Sequence, residues 1–202
     1  MKTLLIGCGN IGALYDWGSD DVKTYAKSLS KLKMDFDLYD NDILLARKVA
    51  KKYKVLALEN LNQISYSNYD LVIISTPTKT HFEYLYNILE NPPKLIICEK
   101  PIDTDIERLT LLESKYKESD VRILVNYQRS LIPKFNELSL KTKKILENEE
   151  CQNISITYQR GFHNNGSHAI DLLTNLFGRH FVFENTSIIQ KDFDEIEDDP
   201  TC

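Results

Sequence analysis

The amino-acid sequence predicts an α/β fold in which a doubly wound parallel sheet is followed by a partial α+β domain. Over residues 1–126, short continuous apolar runs alternate with helical segments, which is typical of parallel strands covered by helices on both faces. The pattern then changes, because residues 154–159 alternate apolar and polar side chains, as in a half-exposed strand of an antiparallel sheet. We therefore predict two domains, at residues 1–126 and 127–202.

In the first domain, the apolar runs predict strands and the segments between them predict helices. Two S/T-x-x-E patterns, Thr80 with Glu83 and Thr104 with Glu107, are capping boxes that mark two helix starts. The predicted strands are residues 2–6, 36–40, 55–58, 71–74, 95–98 and 122–125, and the predicted helical segments are residues 11–14, 22–33, 43–52, 80–90 and 104–117.

In the second domain, the predicted helix 133–149 connects the two domains. A second helix, at residues 167–177, is ended by Gly178 and followed by a strand at 181–190 and an acidic, mobile tail at 191–200. Two strands and one helix leave an apolar sheet face uncovered, so we expect this domain to be only partial.

Composition and charge exclude several functional classes. The 202 residues are 42% hydrophobic and 27% charged, which is typical of a globular protein with a substantial core. The net charge is −5, and no Lys/Arg cluster is interleaved with aromatic residues, so we expect no nucleic-acid partner. No signal-peptide pattern and no apolar run of about 20 residues is present, so we expect a cytoplasmic protein with no membrane partner.

The cysteines predict neither disulfides nor a metal site. Cys8, Cys98, Cys151 and Cys202 are widely separated, with no C-x-x-C pair and no histidine at ligand spacing. We expect Cys8 and Cys98 to be small buried side chains.

The first predicted strand runs directly into Gly7-Cys8-Gly9-Asn10-Ile11-Gly12, and the second ends on Asp40. This G-x-G-x-x-G with a following acid is the fingerprint of a Rossmann-type dinucleotide site. Gly7 permits the tight turn, Gly9 permits close approach of a pyrophosphate, and Gly12 permits close helix packing. The next helix start, with Asn10 and Ile11, offers N–H groups to phosphates. Because the Asp40 carboxylate accepts ribose hydroxyls and repels a 2′-phosphate, we expect NAD rather than NADP.

The spacing within this motif is unusual. Asp40 lies 28 positions after Gly12, whereas about 20 is usual. The surplus falls in residues 15–21, which contain Gly18 and several acids. We therefore expect a short first helical turn, a surface loop and then a resumed helix.

Three further segments lie where an open parallel sheet binds ligands, beyond the carboxyl ends of strands or at the start of the second domain. They are Ser75-Thr76-Pro77-Thr78-Lys79-Thr80-His81, Cys98-Glu99-Lys100-Pro101 and Asn164-Asn165-Gly166-Ser167-His168-Ala169-Ile170-Asp171. In these three motifs the sequence resembles the Gfo/Idh/MocA oxidoreductase family, over roughly residues 1–190 and in the family's order.

The resemblance implies roles for individual residues. Ser75, Thr76, Pro77 and His81 are expected to flank the cofactor. Glu99 is expected to orient the nicotinamide side, and Lys100 and His168 are expected to handle the substrate proton.

Physical chemistry makes the two proton-handling roles reasonable. Transfer of a hydride from a carbinol carbon requires a group that accepts the hydroxyl proton, with a pKa near the working pH. The pKa of Lys100 must then fall from about 10.4, through burial and nearby positive charge. A helix N-terminus lowers the pKa of His168 and favours its neutral form. The alternatives are a surface lysine beside a structural turn and a histidine bonded to a backbone carbonyl.

The remaining polar residues are candidate substrate contacts. Asn164 stands where many family members carry Asp, and some sugar-nucleotide dehydrogenases of the family also have Asn there. Asp171 either orients His168 or pairs with an arginine. Asn126, Arg129 and Arg160 lie near the predicted cleft, where the arginines either bind substrate phosphate or form interdomain salt bridges.

These observations favour an NAD-dependent oxidoreductase that acts on a hydroxyl or keto carbon of a sugar or sugar nucleotide, as a homo-oligomer. Two alternatives stay open: a non-catalytic NAD-binding sensor or partner subunit, and a fragment of a longer enzyme.

Overall fold

The computed structural model describes residues 1–62, 64–151 and 153–177. The chain divides into two compact units, Met1–Asn126 and Tyr127–Cys202. The predicted Gly178 helix end, the strand at 181–190 and the acidic tail lie outside the described residues. No helix among the described residues is long and apolar enough to cross a membrane.

The first unit is built on a six-stranded sheet in which every neighbouring pair is parallel, which confirms the predicted doubly wound α/β fold. The strand order is β3-β2-β1-β4-β5-β6, so β1 and β4 lie at the centre, where the order reverses. The strands are β1 Lys2–Ile6, β2 Asp35–Tyr39, β3 Leu56–Ala57, β4 Leu71–Ile74, β5 Leu95–Glu99 and β6 Arg122–Asn126.

Helices cover both faces of this sheet. Leu4 and Ile6 of β1 belong to one buried apolar cluster, and Leu5 belongs to a second one, because successive side chains of a strand point to opposite faces. The helices of the first unit are α1 Tyr25–Lys31, α2 Ile43–Tyr53, α3 His81–Ile88 and α4 Ile106–Lys117; those of the second unit are α5 Pro133–Leu146 and α6 Ser167–Phe177.

Neither predicted capping box forms its hydrogen bonds, although Thr80 is the N-cap residue of α3, which confirms that helix start. The N-cap of α4 is Asp105, whose carboxylate accepts from the N–H groups of Glu107 and Arg108, and not Thr104. The Thr80 hydroxyl does not cap α3 but lies 2.7 Å from the Pro77 carbonyl oxygen, inside the preceding 3-10 turn. In both cases a local alternative hydrogen bond replaces the predicted one.

The surplus residues between the glycine motif and β2 form an ordered loop. The Asp16 side chain is buried and accepts hydrogen bonds from Lys23 N–H at 2.7 Å and from Thr24 N–H at 2.8 Å and its hydroxyl at 2.9 Å. Burial raises the pKa of Asp16, but these hydrogen bonds outweigh it and lower the pKa overall. Because the amides of residues 23 and 24 point at Asp16, the resumed helix α1 begins at Tyr25 rather than at residue 22.

The same loop is attached to α2 through its tryptophan. The Lys52 ammonium donates to the Trp17 carbonyl oxygen at 2.6 Å and lies 4.0 Å from the centroid of the Trp17 ring. This combines a hydrogen bond with a cation–π contact. The loop is therefore fixed at Asp16 and at Trp17.

In the second unit, α5 begins as predicted at Pro133 and ends at Leu146, three residues before the predicted end. The predicted strand at 154–159 is wrong for the described part of the chain, where these residues pair with no strand. Ile154 and Ile156, the apolar residues of the alternating pattern, are exposed. The pattern indicates a sheet face, but a strand forms only where a partner strand supplies the ladder hydrogen bonds.

Candidate active site

The carboxyl ends of neighbouring strands bring predicted site residues to one edge of the sheet. β1 continues into Gly7, β2 into Asp40 and β4 into Ser75, and the residues before them are paired in register. Glu99 is the last residue of β5. Because adjacent strands lie about 4.8 Å apart, Asp40 and Glu99, on strands three positions apart, are separated by about 14 Å along this edge. A ligand that contacts both must be extended.

The three glycines of the motif are needed for different physical reasons. Gly7 has φ +98°, and a Cβ on it would lie 2.8 Å from the backbone of Ser75. A Cβ on Gly12 would lie 2.1 Å from the Gly7 carbonyl oxygen, whereas a Cβ on Gly9 would meet nothing within 4 Å. Gly7 and Gly12 are therefore required by packing, and Gly9 leaves the open space that close approach of a pyrophosphate needs.

The helical turn after Gly9 is short. Residues Asn10–Leu14 form a single π-helical turn, in which the Leu14 N–H donates to the Gly9 carbonyl at 3.1 Å. Asn10 and Ile11 are exposed on this turn. The first N–H groups of a helical turn have no partner within the turn, so they suit an anionic ligand.

Asp40 is tied to the glycine motif. Its Oδ2 accepts from the Cys8 N–H at 2.6 Å, and its Oδ1 accepts from the Asp42 N–H at 2.9 Å. Each carboxylate oxygen has a second acceptor position, so Asp40 keeps the capacity to accept from two ribose hydroxyls. Cys8 is buried, and this burial together with the Asp40 charge raises the pKa of its thiol to about 12. The motif residues present thus fit the ribose and pyrophosphate of a dinucleotide.

His81 joins the loops that follow β4 and β5. Its Nε2 lies 2.7 Å from the Thr76 carbonyl oxygen and its Nδ1 lies 2.8 Å from the Pro101 carbonyl oxygen. A neutral imidazole donates to one of these carbonyls, and a protonated ring donates to both. The ring is fully buried. Ser75 similarly links β4 to the glycine motif, because its hydroxyl donates to the Gly7 carbonyl at 2.9 Å.

Glu99 takes part in a three-residue hydrogen-bond network. Its Oε1 accepts from the Tyr25 hydroxyl and from the Asn126 amide, each at 2.7 Å, and the same amide lies 2.7 Å from the Tyr25 oxygen. Glu99 and Asn126 are paired residues at the ends of β5 and β6. Burial, followed by the Glu99 charge, raises the pKa of Tyr25 far above its usual value, so the phenol stays protonated and donates. Lys100 follows Glu99 and is half-buried.

In the second unit, the predicted residues lie around a tight backbone turn. Arg160 has φ +69° and Gly161 has φ +87°, and a π-helical turn at Phe162–Gly166 follows. The Asn164 amide donates to the Arg160 carbonyl at 3.2 Å. A Cβ on Gly166 would lie 3.0 Å from the Tyr158 ring, so glycine is needed for this packing.

His168 lies in the first turn of α6, and Asp171 lies one turn later, as the sequence predicts. The Tyr127 ring contacts His168 edge-on, with 5.7 Å between centroids. Burial and the Asp171 charge raise the pKa of Tyr127. A hydrogen bond with Ser167 lowers this pKa, but it does not outweigh the other two effects. Arg129 is exposed on the 3-10 turn that follows Tyr127.

Sequence reasoning missed two tyrosines beside predicted site residues. Tyr25 meets a glutamate 74 positions away, and Tyr127 meets a histidine from another element. Neither belongs to a recognisable motif. In the structure the residue before Tyr25, Thr24, is the N-cap of α1, and its hydroxyl accepts from the Lys27 N–H at 3.3 Å.

A parallel sheet with this glycine turn and an acid after β2 defines the class of dinucleotide-binding α/β proteins. The chain belongs to the Gfo/Idh/MocA family, whose model, described as an oxidoreductase family with an NAD-binding Rossmann fold, matches residues 1–127. The resemblance seen in the motifs is thereby confirmed.

Curated relatives and solved structures agree with this assignment. An inositol 2-dehydrogenase from Rhizobium meliloti is 36% identical over 66 residues, which are 33% of this chain and 20% of the relative. A myo-inositol dehydrogenase from Corynebacterium glutamicum superposes with a TM-score of 0.65 at 19% identity, covering 87% of this chain and 54% of that one. A UDP-N-acetylglucosamine 3-dehydrogenase from Acidithiobacillus ferrooxidans has a TM-score of 0.66 at 18% identity, with 88% and 56% covered. The chain thus spans about half the length of these solved relatives.

Proposed function

We propose that this chain is an NAD-dependent oxidoreductase that acts on a hydroxyl or keto carbon of a sugar or sugar nucleotide. The observation that carries this proposal is the sheet edge from Asp40 to Glu99. It combines an acceptor for ribose hydroxyls, an open glycine turn and a fixed carboxylate about 14 Å from Asp40, given the usual strand spacing. Family membership supports the same reaction class.

NAD is the preferred cofactor in this proposal. The carboxylate of Asp40 stands where the adenosine ribose is bound in such folds, and its negative charge disfavours a 2′-phosphate. Its bond to the Cys8 N–H fixes the carboxylate before any ligand arrives. The preference therefore rests on charge at a rigid position.

Lys100 and His168 are the proposed proton-handling residues. When bound, NAD⁺ supplies the carbon that accepts a hydride from the substrate. The neutral Lys100 amine accepts the proton that the substrate hydroxyl releases, and His168 passes protons on or orients the substrate. In this scheme Asn164, Arg129 and Arg160 contact the substrate, as does Asp171.

The relatives support the proposed substrate class. Inositol and UDP-N-acetylglucosamine, named for two of them, are both rings that carry secondary hydroxyls. Two arginines in the second unit suit a phosphate-bearing ligand, which favours a sugar nucleotide. Asn164 in place of a carboxylate is compatible with this choice.

Calorimetric titration of the purified chain with NAD⁺ and NADP⁺ tests the cofactor assignment. We expect NAD⁺ to bind more tightly, and NADH binding to be strengthened by one member of a panel of myo-inositol, UDP-sugars and GDP-sugars. Absence of any NAD binding would refute the assignment. Binding without coupling to any ring substrate would instead favour the sensor or the fragment alternative.

Replacement of Lys100 tests the proton role. Lys100→Ala should leave NAD⁺ affinity nearly unchanged and lower kcat on the identified substrate by at least about 100-fold, because the general base is lost. Lys94→Ala is the matched control: this exposed lysine lies just before β5 and forms an ion pair with Asp70. Normal turnover by Lys100→Ala would show that another group accepts the proton.

A further inference from the structure

Tyr25 connects the inserted loop, the surplus residues 15–21 between the glycine motif and α1, to the carboxyl ends of β5 and β6. It is the first residue of α1, yet its hydroxyl reaches the last residues of β5 and β6. Its position is set by the loop, because Asp16 accepts from both the amide and the hydroxyl of Thr24, the residue that caps α1. The insertion thus delivers a phenol to the edge where the strands end.

The network leaves one carboxylate oxygen of Glu99 for a ligand. Tyr25 and Asn126 both donate to Oε1. Within the part of the chain that the structure describes, both hydrogen bonds that the Glu99 carboxylate accepts are to Oε1. A carboxylate whose one oxygen accepts two hydrogen bonds has little rotational freedom, so Oε2 is presented in a fixed direction.

The sheet order indicates which part of a ligand Oε2 meets. Asp40 and Glu99 lie on opposite sides of the central strands β1 and β4. If Asp40 binds the adenosine ribose, the glycine turn at β1 receives the pyrophosphate, and the nicotinamide half extends toward β5. The hydrogen-bond donors of that half are the carboxamide N–H groups and the ribose hydroxyls.

We propose that Tyr25 is a positioning residue that, with Asn126, orients Glu99 so that Oε2 accepts a hydrogen bond from the nicotinamide half of the cofactor. This inference rests on the proposed function. It gives the inserted loop a role in cofactor binding and makes Asn126 a support for Glu99.

The test compares a full dinucleotide with one that lacks nicotinamide. NADH and ADP-ribose are titrated by calorimetry into the wild-type chain and into Tyr25→Phe. The variant should bind NADH about tenfold more weakly and bind ADP-ribose as well as the wild type does. The emission of bound NADH should also change, because the reduced ring is less firmly oriented.

Tyr69→Phe is the matched control. Tyr69 is also buried and donates to a carboxylate, Asp37 Oδ2, at 2.8 Å, but it precedes β4 at the amino end of the strand. Its loss should lower the melting temperature without changing the affinity for either ligand. A general effect of losing a buried phenol hydroxyl is thereby separated from a positioning effect.

Two further variants keep the inference falsifiable if Tyr25→Phe folds poorly. Asn126→Ser should reproduce the selective loss of NADH affinity. In a Glu99→Gln background, Tyr25→Phe should have little further effect, since both residues act through the same carboxylate. Equal losses for NADH and ADP-ribose, or no loss for NADH, would overturn the inference while leaving NAD binding intact. Failure of the wild-type chain to bind NADH would refute the proposed function and the inference with it.

Discussion

Gly9 and Gly12 belong to one turn but have different surroundings, and this difference gives a sharp prediction. Gly12→Ala should destabilise the fold by about 2 kcal/mol or more, because its Cβ would overlap a backbone carbonyl. Gly9→Ala should change stability by less than about 0.5 kcal/mol, because its Cβ would meet open space. The same Gly9→Ala should nevertheless weaken NAD binding.

Urea unfolding and calorimetric titration of both variants check this prediction. The two glycines serve as controls for each other, because one change acts on folding and the other on ligand approach. A Gly9→Ala chain with wild-type NAD affinity would show that the pyrophosphate does not pass this residue.

Asp40 determines cofactor choice in our proposal through its charge. Asp40→Asn keeps the side-chain size and removes the charge, so we expect NAD⁺ to bind about tenfold more weakly and the preference over NADP⁺ to shrink. The loss of NAD⁺ affinity corresponds to about 1.4 kcal/mol. Titration with both cofactors measures the ratio. An unchanged NAD⁺/NADP⁺ ratio would mean that the charge of Asp40 does not discriminate.

At the residue scale, the burial of individual side chains could be predicted from the sequence, but their hydrogen-bond partners could not. Cys8 and Cys98 are fully buried, as their positions in apolar surroundings predict. The meeting of Tyr25 with Glu99 and Asn126 depends on a loop that places residue 25 beside strands far along the chain. No local pattern encodes such a contact, because it requires the completed sheet.

At the element scale, Asp16 organises the inserted loop, and its hydrogen bonds make loop stability depend on pH. The folded-state pKa of Asp16 lies below the unfolded value of about 3.9. Its contribution is therefore fully present above that value and is lost as the pH falls through the folded-state pKa. The free energy of unfolding lost in Asp16→Asn should be largest at neutral pH and shrink in acid.

Urea unfolding of wild type and Asp16→Asn at neutral pH and at about pH 3 measures this difference. Asp20→Asn is the control, since this exposed aspartate belongs to the same loop. A difference that stays constant down to acid pH would show that the charge of Asp16 contributes nothing to the loop.

Elements buried on both faces were the easiest to predict. The apolar runs at residues 2–6 and 71–74 coincide with β1 and β4, because double-sided burial requires consecutive apolar side chains. Helix starts were harder to predict. Thr104 and Asp105 are adjacent candidates for the N-cap of α4, and the Asp105 side chain is the one that caps the helix. The strand predicted at residues 154–159 was wrong because the alternation of apolar and polar side chains indicates a possible sheet face but not the presence of a partner strand.

At the scale of the whole molecule, ligand binding should stabilise the chain. With NADH at 100 times its Kd, the free energy of unfolding should rise by about 2.7 kcal/mol. For a chain of this size that corresponds to an increase in melting temperature of about 5–10 °C. Differential scanning calorimetry measures the shift.

Gly9→Ala is the control for this experiment, because it should melt like the wild type without ligand and gain less from NADH. A wild-type chain whose melting temperature is unchanged by saturating NADH would contradict cofactor binding to the folded state.

Trp17 is the single tryptophan of the chain, and it lies in the loop that Asp16 and Lys52 fix. All tryptophan emission therefore arises from one ring, close in sequence to the glycine turn. Reduced nicotinamide absorbs light in the range where tryptophan emits, so bound NADH should quench Trp17 by energy transfer. The protein thus carries an intrinsic optical reporter, and cofactor arrival can be followed in a stopped-flow instrument without any attached dye.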